Sequence, residues 1–267
     1  FRARQVGEDT ALAQIVKMVR EAQGSKAPVQ RTVDRAALIF VPVVACVAVL
    51  TFVAWVTFGG FDCVPQGIIS AVAVLVVACP CAMGLATPTA LMVGIGKAAE
   101  KGILIKDATA LEQLRRIDTM VVDKTGTITI PNPNVDFTKT SNMPLEERET
   151  IKPNAAEAMT MLKSEGFEVH MMSGDTPEAA AYWAKKAGIT HYMSKALPQD
   201  KENLVRNLQE QGHKVAMVGD GINDTQALAL ADVSIAMGKG TDVAMDVAQI
   251  TLMTDDLKAL PEAVAMS

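Results

Sequence analysis

The sequence is poor in aromatic residues, cysteine and positive charge, and each shortage excludes a class of protein. Phe, Trp and Tyr make up 4% of its 267 residues, so the 49% hydrophobic content is mainly aliphatic. The net charge of −5 and the lack of a basic stripe exclude an ordinary nucleic-acid-binding protein. Three of the four cysteines lie in apolar runs, which excludes a secreted disulfide framework. The start has no signal-peptide pattern, and its polar, helix-like character fits a fragment of a longer protein.

Two long runs without any charged residue predict membrane helices. The first, residues 38–58, contains 21 residues, and about 20 helical residues cross a hydrocarbon core of about 30 Å. The second, residues 63–96, is longer than one span needs, so part of it must bend, unwind or project beyond the membrane. Lys and Arg flank the two runs but are absent from the link between them, which places both ends in the cytoplasm.

A Cys-Pro-Cys sequence at residues 79–81 interrupts the second run. Proline removes a backbone donor and clashes with the preceding helical turn, and irregular backbone is tolerated at membrane depth where it lines an enclosed site. The thiolates of Cys79 and Cys81 are soft ligands, which select Cu(I), with Zn(II) as a competitor. The alternative is a pair of structural cysteines on a kinked helix.

From residue 102 onward, predicted strands and helices alternate. The predicted strands are residues 102–106, 119–123, 169–172, 189–193, 215–218, 233–236 and 250–253. The predicted helices are residues 108–116, 153–165, 177–187, 200–211, 225–231 and 243–248. Such alternation predicts a Rossmann-like α/β domain with a parallel sheet and crossover helices. The predicted fold class is therefore an α-helical transmembrane segment followed by an α/β domain.

An Asp-Lys-Thr-Gly-Thr sequence at residues 123–127 ends the predicted strand 119–123. Open α/β sheets place their chemistry beyond the carboxyl ends of the strands, and an aspartate there can attack a phosphoryl group. The pentapeptide alone could be a turn, because Asp, Thr and Gly all favour turns. Ser-Gly-Asp at residues 173–175, Lys201 and Gly-Asp-Gly-Ile-Asn-Asp at residues 219–224 favour a phosphate site instead.

The residues predicted for this site form three groups. Asp123 is the predicted nucleophile, and Lys201 and Ser173 are the other catalytic residues, with Lys201 neutralising the phosphate charge. The predicted phosphate-binding residues are Thr125, Gly126, Thr127, Gly174, Asp175 and Asn223. Mg²⁺ prefers oxygen ligands, and the predicted ligands are Asp123, Thr125 through its carbonyl oxygen, Asp220 and Asp224.

Asp-Lys-Thr-Gly-Thr with a downstream Gly-Asp-Gly-Ile-Asn-Asp resembles the P-type ATPases, ion pumps with a haloacid dehalogenase-like phosphorylation domain. The Cys-Pro-Cys and its surroundings, residues 78–88, resemble the copper(I) branch of the heavy-metal pumps. The resemblance runs from about residue 6 to residue 257. It implies ATP-driven export of Cu(I) through an aspartyl-phosphate, with Mg²⁺ as cofactor and Cu(I) bound by Cys79 and Cys81. It also implies membrane lipid and a cytosolic copper chaperone as partners, and a plasma-membrane location with the phosphorylation domain in the cytoplasm.

The resemblance divides the chain into three parts. Residues 1–34 correspond to a cytoplasmic linker helix after an actuator domain that is absent, and residues 35–100 to two transmembrane helices. Residues 101–267 correspond to the phosphorylation domain, with the nucleotide-binding domain of the resembling pumps missing near residues 150–151. None of the three histidines precedes a proline, as the adenine-binding His-Pro motif of that domain requires. We therefore expect the chain as given to be inactive.

Two further functions remain open from the sequence. One is a zinc or cadmium pump of the same superfamily, although Gly-Leu-Ala-Thr-Pro at residues 84–88 favours copper. The other is a membrane-anchored phosphatase or metal sensor without transport. A phosphatase of this superfamily carries an acid-base Asp two residues after its nucleophile, where this chain has Thr125. Ser173 and residues 225–226 also depart from the usual Thr and Ala-Pro of the copper pumps.

Overall fold

The computed structural model describes residues 28–78, 81–135, 143–238 and 242–267. These residues form two compact units, one of residues 26–93 and one that begins at Gly94. Most of the linker helix predicted at residues 1–34 lies outside the described residues, as do residues 79 and 80 of the Cys-Pro-Cys sequence.

The first unit is built from apolar helices. They are α1 (Pro28–Gly59), a 3-10 turn (Phe61–Cys63), α2 (Val64–Val77) and the start of α3 (Cys81–Glu100). Among the described residues, α1 is the one helix long and apolar enough to cross a membrane. Its threonines satisfy their hydroxyls within the helix, since Thr51 and Thr57 each donate to a carbonyl four residues earlier, at 2.8 Å. This internal pairing suits a helix whose surroundings offer no water.

Helices α1 and α2 pack against each other as a hairpin. Gly67 is buried at their contact, where an added Cβ would lie 3.1 Å from the ring of Phe52, so a small residue allows the close approach. The outward surface is apolar, with Leu38 76%, Ile69 68% and Val77 86% exposed. A continuous apolar surface of this kind is typical of a protein that is covered by lipid or by another protein.

The second charge-free run does not form one helix. Helix α2 ends at Val77, Ala78 lies in a turn, and α3 begins at Cys81. The two separate helices agree with the expectation that part of this run must bend or unwind, and the two transmembrane helices predicted within residues 35–100 stay a prediction. The division falls at the Cys-Pro-Cys sequence, where proline opposes a continuous helix.

The second unit contains a seven-stranded sheet with the order β1-β9-β8-β7-β2-β5-β6. The strands of the unit are β1 (Ile103–Ile105), β2 (Thr119–Asp123), β3 (Thr129–Pro131), β4 (Glu149–Ile151), β5 (Glu168–Met172), β6 (His191–Met193), β7 (Val215–Gly219), β8 (Val233–Met237) and β9 (Ile250–Leu252). All neighbours in the sheet pair in parallel except β1, which pairs antiparallel with β9. The predicted Rossmann-like parallel sheet is confirmed, and β1 makes its edge mixed.

Helices pack on this sheet in two groups. The helices of the unit are α4 (Ala108–Leu114), α5 (Leu145–Arg148), α6 (Ala155–Ser164), α7 (Pro177–Ala187), α8 (Pro198–Glu210), α9 (Thr225–Leu230), α10 (Asp242–Val247) and α11 (Ala259–Ala265). Helix α9 contacts both α8 and α10, whereas α6 contacts both α7 and α11. Side chains from the central strands, including Val121, Met172 and Met217, pack with Val205 of α8 and Leu228 of α9. The core therefore lies directly beneath the carboxyl ends of the central strands.

A two-stranded antiparallel hairpin stands at the predicted domain seam. Strand β3 pairs with β4 so that Thr129 faces Ile151 and Pro131 faces Glu149. The pairing continues one step further, where the Asn132 amide donates to the Arg148 carbonyl at 2.8 Å. The sequence analysis predicted no strand at residues 129–131 or 149–151, so the hairpin was missed. The connection between the two strands therefore begins and ends at adjacent backbone positions.

The packing of α6 generates a paired stability prediction. Leu162 is fully buried, whereas its neighbour Met161 is 37% exposed. We expect Leu162→Ala to lower the free energy of unfolding by about 2–5 kcal/mol, since it leaves a cavity. Met161→Ala should change it by less than about 1 kcal/mol. Urea unfolding of the detergent-purified chain, followed through Trp183 fluorescence in a Trp55→Phe background, measures both. Equal losses would contradict this assignment of the buried face.

Candidate active site

The residues of the candidate site lie at the carboxyl ends of three neighbouring strands. Asp123 is the last residue of β2, residues 173–175 follow β5, and Asp220 follows β7. Because β7, β2 and β5 are adjacent and parallel, these residues converge beyond their carboxyl ends. The first turn of α8 brings Lys201 to the same place. The edge encloses a cavity of about 280 Å³.

Lys201 joins two carboxylates at the centre of this cavity. Its Nζ lies 2.5 Å from Oδ1 of Asp123 and 2.7 Å from Oδ1 of Asp224. All three residues are buried, with exposures of 6%, 5% and 1%. Ion pairs removed from water require good geometry and further polar partners, because desolvation is costly. Asp224 has such a partner, since its Oδ2 accepts a hydrogen bond from the Gly221 amide at 3.3 Å.

The local charges shift the acid-base properties of the site. Burial, with the nearby Asp224 carboxylate, raises the pKa of Asp123 to about 7, although Lys201 opposes this shift. Burial and Asp224 also raise the pKa of Asp220. Burial opposes the charged form of Lys201, but the carboxylates of Asp123 and Asp224 outweigh it and raise its pKa. Lys201 therefore stays charged. The three carboxylates of the site can carry more negative charge than this one lysine neutralises.

The excess of carboxylates fits a divalent cation. Oxygen atoms of Asp123, Asp220 and Asp224 all lie within 4.8 Å of one another. Mg²⁺ is a hard ion that binds one or two carboxylates together with phosphate and water oxygens. These residues would hold Mg²⁺, and the ion would reduce the mutual repulsion that raises their pKa values.

Two glycines allow the loops to approach this closely. Gly126 has φ +76°, and a Cβ on it would lie 1.5 Å from Oδ2 of Asp220. A Cβ on Gly219 would lie 2.7 Å from Oδ2 of Asp224. Any larger residue would therefore displace an acidic group of the site.

A second buried lysine, Lys124, was missed by the sequence analysis. Its Nζ donates to Glu149 of the hairpin and lies 2.5 Å from Oδ2 of Asp175. Glu149 also accepts a hydrogen bond from Thr129 at 2.5 Å. These contacts join the nucleophile loop to the β5 loop and to the hairpin. Glu149 ends a run of acidic residues, and nothing in the spacing of that run distinguishes it from a solvent-exposed residue.

Most predicted site residues line the cavity. They are Asp123, Thr125, Gly174, Asp175, Lys201, Asp220, Asn223 and Asp224. Ser173 is buried behind them, and its Oγ accepts a hydrogen bond from the Asp175 amide at 3.1 Å, which shapes the loop. Gly126 and Thr127 are not among the lining residues, and the buried Thr127 hydroxyl has no hydrogen-bond partner within the described part of the chain. Residue 79 and the side chain of Cys81 lie outside the described residues, so copper binding there stays a prediction.

Comparison with known protein sequences points to the same chemistry. A haloacid dehalogenase-like hydrolase family matches residues 139–232. The Mycobacterium tuberculosis protein named "Probable copper-exporting P-type ATPase V" is 37% identical over 369 residues, covering 100% of this chain and 48% of that protein. The copper-exporting P-type ATPase of Bacillus subtilis is 35% identical, with 100% and 46% covered. The chain spans about half the length of these curated relatives, and the aligned stretch contains residues that this chain lacks.

Solved structures agree with the sequence comparison. A zinc-transporting PIB-type ATPase in the E2·Pi state superimposes with a TM-score of 0.73 at 26% identity, covering 98% of this chain and 59% of that chain. The catalytic domain of the CPx-ATPase CopB-B gives a TM-score of 0.54 at 25% identity, covering 64% of this chain and 98% of that domain. The chain therefore contains a haloacid dehalogenase-like α/β domain, and over its full length it is similar to heavy-metal P-type ATPases.

Proposed function

We propose that this chain carries the phosphorylated centre of a pump that exports Cu(I) across a membrane at the expense of ATP. The observation that supports this most is the buried Asp123 carboxylate, which lies at the end of a central strand beside Lys201. In this proposal, one Asp123 oxygen attacks the terminal phosphorus of ATP. The new bond joins that oxygen to phosphorus, the bond from phosphorus to the bridging oxygen breaks, and ADP leaves.

The other residues stabilise charge and position the phosphoryl group. Phosphoryl transfer depends mainly on in-line placement and charge neutralisation. Lys201 supplies a positive charge to the phosphoryl oxygens, and Asp224 holds that lysine in place. Backbone and side-chain donors of Thr125, Gly174 and Asn223 face the same cavity. Bound Mg²⁺ supplies the remaining positive charge at the acidic edge.

The composition of the cavity favours a long-lived aspartyl-phosphate. Two residues after Asp123 stands Thr125, which cannot act as the acid-base carboxylate that a phosphatase of the superfamily uses. A pump needs the phosphorylated state to persist while the transported ion moves. This difference favours a pump over the membrane-anchored phosphatase.

Copper(I) is the ion that we propose for Cys79 and Cys81. Thiolates are soft ligands, and the sequence relatives at 35–37% identity are named as copper exporters. The zinc-transporting ATPase among the structural neighbours supports zinc as the alternative ion. Membrane lipid and a cytosolic copper chaperone are the proposed partners. The proposed location is the plasma membrane, with the phosphorylation domain in the cytoplasm.

The chain as given should use ATP poorly. The relatives carry extra residues within the aligned stretch, and in this chain β3 and β4 pair directly beside the predicted seam near residues 150–151. We propose that the missing residues are a nucleotide-binding domain. A small phosphoryl donor such as acetyl phosphate needs no adenine site and tests the remaining chemistry separately.

We expect the detergent-purified chain to incorporate acid-stable ³²P from acetyl [³²P]phosphate in the presence of Mg²⁺ and Cu(I). Hydroxylamine should release the label, since it cleaves acyl phosphates. Asp123→Asn should abolish incorporation because the amide is not a nucleophile, whereas Asp118→Asn, outside the cavity, should retain it. Label that persists in Asp123→Asn would refute the proposed nucleophile.

The same assay tests the metal. Incorporation that requires Cu(I) or Ag(I) and is lost in Cys79→Ser/Cys81→Ser would support the copper pump. Stimulation by Zn(II) alone would support the zinc pump. Incorporation that is the same with and without the transported metal, and the same in the wild type and the cysteine variant, would show that the thiols are structural. That result would contradict the transport proposal.

The raised pKa of Asp123 predicts a pH-dependent stability. Its folded-state pKa of about 7 exceeds the ordinary value of 3.8, so the folded protein retains a proton that the unfolded chain releases. Ionised Asp123 therefore lowers stability as the pH rises from about 4 to 7. In EDTA, Asp123→Asn should raise the free energy of unfolding by more than about 1 kcal/mol at pH 8, and by much less at pH 5.

Asp118→Asn is the control with the opposite sign. Hydrogen bonds from Thr119 and Lys214, with His213, hold the pKa of Asp118 below its usual value although burial opposes them. Its loss should therefore destabilise the protein at pH 8. Urea unfolding at the two pH values measures both variants, and an Asp123→Asn effect that is the same at pH 5 and pH 8 would contradict the assigned pKa.

Gly126 and Gly188 form a matched pair for testing loop geometry. Both have positive φ, +76° and +73°, but a Cβ on Gly188 would meet nothing within 4 Å. Gly126→Ala should lower phosphorylation about a hundredfold by displacing Asp220, because an ångström of misplacement costs that much. Gly188→Ala should cost only about 1 kcal/mol of stability. Similar phosphorylation rates in the two variants would show that the contact with Asp220 is unimportant.

A further inference from the structure

The three histidines of the chain lie near one another, away from the acidic cavity. His170 and His191 have ring centroids 5.0 Å apart, and the charge of His213 influences His170. Nε2 of His170 lies 2.8 Å from Oε1 of Glu168, and Nε2 of His191 lies 3.8 Å from the same oxygen. Nothing in the proposed transport reaction uses these residues.

The register of the sheet places the three ligand atoms on one face. Glu168 and His170 are two residues apart on β5, and alternate residues of a strand share a face. His170 is the register partner of His191 on the edge strand β6. This arrangement is set by backbone pairing and does not depend on a mobile surface loop.

We propose that Glu168, His170 and His191 form a binding site for a divalent ion of borderline softness, with Zn(II) as the type ion. Two imidazoles and one carboxylate suit Zn(II), which accepts three protein ligands and keeps a fourth position for water. The three ligand atoms lie within 4.8 Å of one another. Ligands about 3.3 Å apart would fit a tetrahedral zinc ion, and the two measured distances to Glu168 lie on either side of that value.

The surroundings leave the site accessible. A cavity of about 290 Å³ adjoins it, lined by His170, His191 and Leu204 among others. The side chains of Glu168 and His191 are 41% and 57% exposed, whereas that of His170 is 15% exposed. Burial lowers the pKa of His170, although Glu168 opposes this shift, and a lowered pKa favours the neutral imidazole. A neutral imidazole offers the lone pair that a metal ion needs.

An ion bound here would link the edge strand β6 to β5, the strand that leads to the candidate active site. Strand β5 continues into Ser173, whose amide donates to the Met193 carbonyl of β6 at 2.9 Å. A ligand from β6 and two from β5 would hold these strands together at their other end. Binding should therefore raise the melting temperature of the folded chain by mass action.

Zinc titration of the full chain in detergent tests the site. A variant with all four cysteines changed to Ser removes thiolate ligands, and excess Mg²⁺ occupies the acidic cavity. We expect one Zn(II) per chain by isothermal titration calorimetry, with a zinc-dependent rise in melting temperature. His191→Gln and Glu168→Gln should each weaken binding more than about tenfold, because losing even a supporting group of a metal ligand costs ten- to hundredfold.

His213→Gln is the matched control, since His213 contacts Asp118 and Thr119 and is not one of the three ligands. It should retain the affinity and the rise in melting temperature. Zinc binding that is unchanged in His191→Gln, that is lost equally in His213→Gln, or that is absent at micromolar zinc would overturn the assignment. The titration involves no phosphoryl transfer, so failure of the proposed pump function would leave its result unaffected.

Discussion

The geometry of the candidate active site depends on the ion pairs that one buried lysine makes with two carboxylates. Lys201 reaches Asp123 and Asp224 from the first turn of α8, so the position of that helix fixes the position of Asp123. Removing Lys201 would leave two buried carboxylates without their shared positive charge, which costs about 3–5 kcal/mol. The loops have to hold the carboxylates of Asp220 and Asp224 in fixed positions. A Cβ on Gly126 or Gly219 would displace one of these carboxylates.

The electrostatic arrangement is unfavourable until a ligand arrives. Burial, with the nearby Asp224 and Asp220 carboxylates, raises the pKa of Asp123, which shares Lys201 with Asp224. A divalent cation would offset this excess of negative charge. The candidate active site therefore lowers the stability of the folded protein when no cation is bound. Catalytic sites commonly have this property.

The elements with strong local signals were predictable from the sequence. Strand β2 was predicted with its observed bounds, Thr119–Asp123, because an apolar run ends at a charged residue. Helix α7 was predicted with its observed bounds, Pro177–Ala187, because it has proline at its start and Gly188 after its end. The hairpin β3–β4 was missed because three-residue strands carry no periodicity, and Lys124 was missed because its partner Glu149 is 25 residues away. Contacts across such distances depend on the tertiary fold, which local patterns do not encode.

The hairpin at residues 129–151 also shows how this domain tolerates large changes in length. Its two strands pair with each other through their backbones, and Glu149 binds Lys124 in the loop after β2. These contacts do not involve the residues that connect the two strands. The connection can therefore be a short turn or an entire folded module, because both begin and end at adjacent backbone positions. A junction of this kind makes the domain that carries Asp123 and any module inserted in the connection separable units in evolution, each free to change while the ends of the hairpin stay paired.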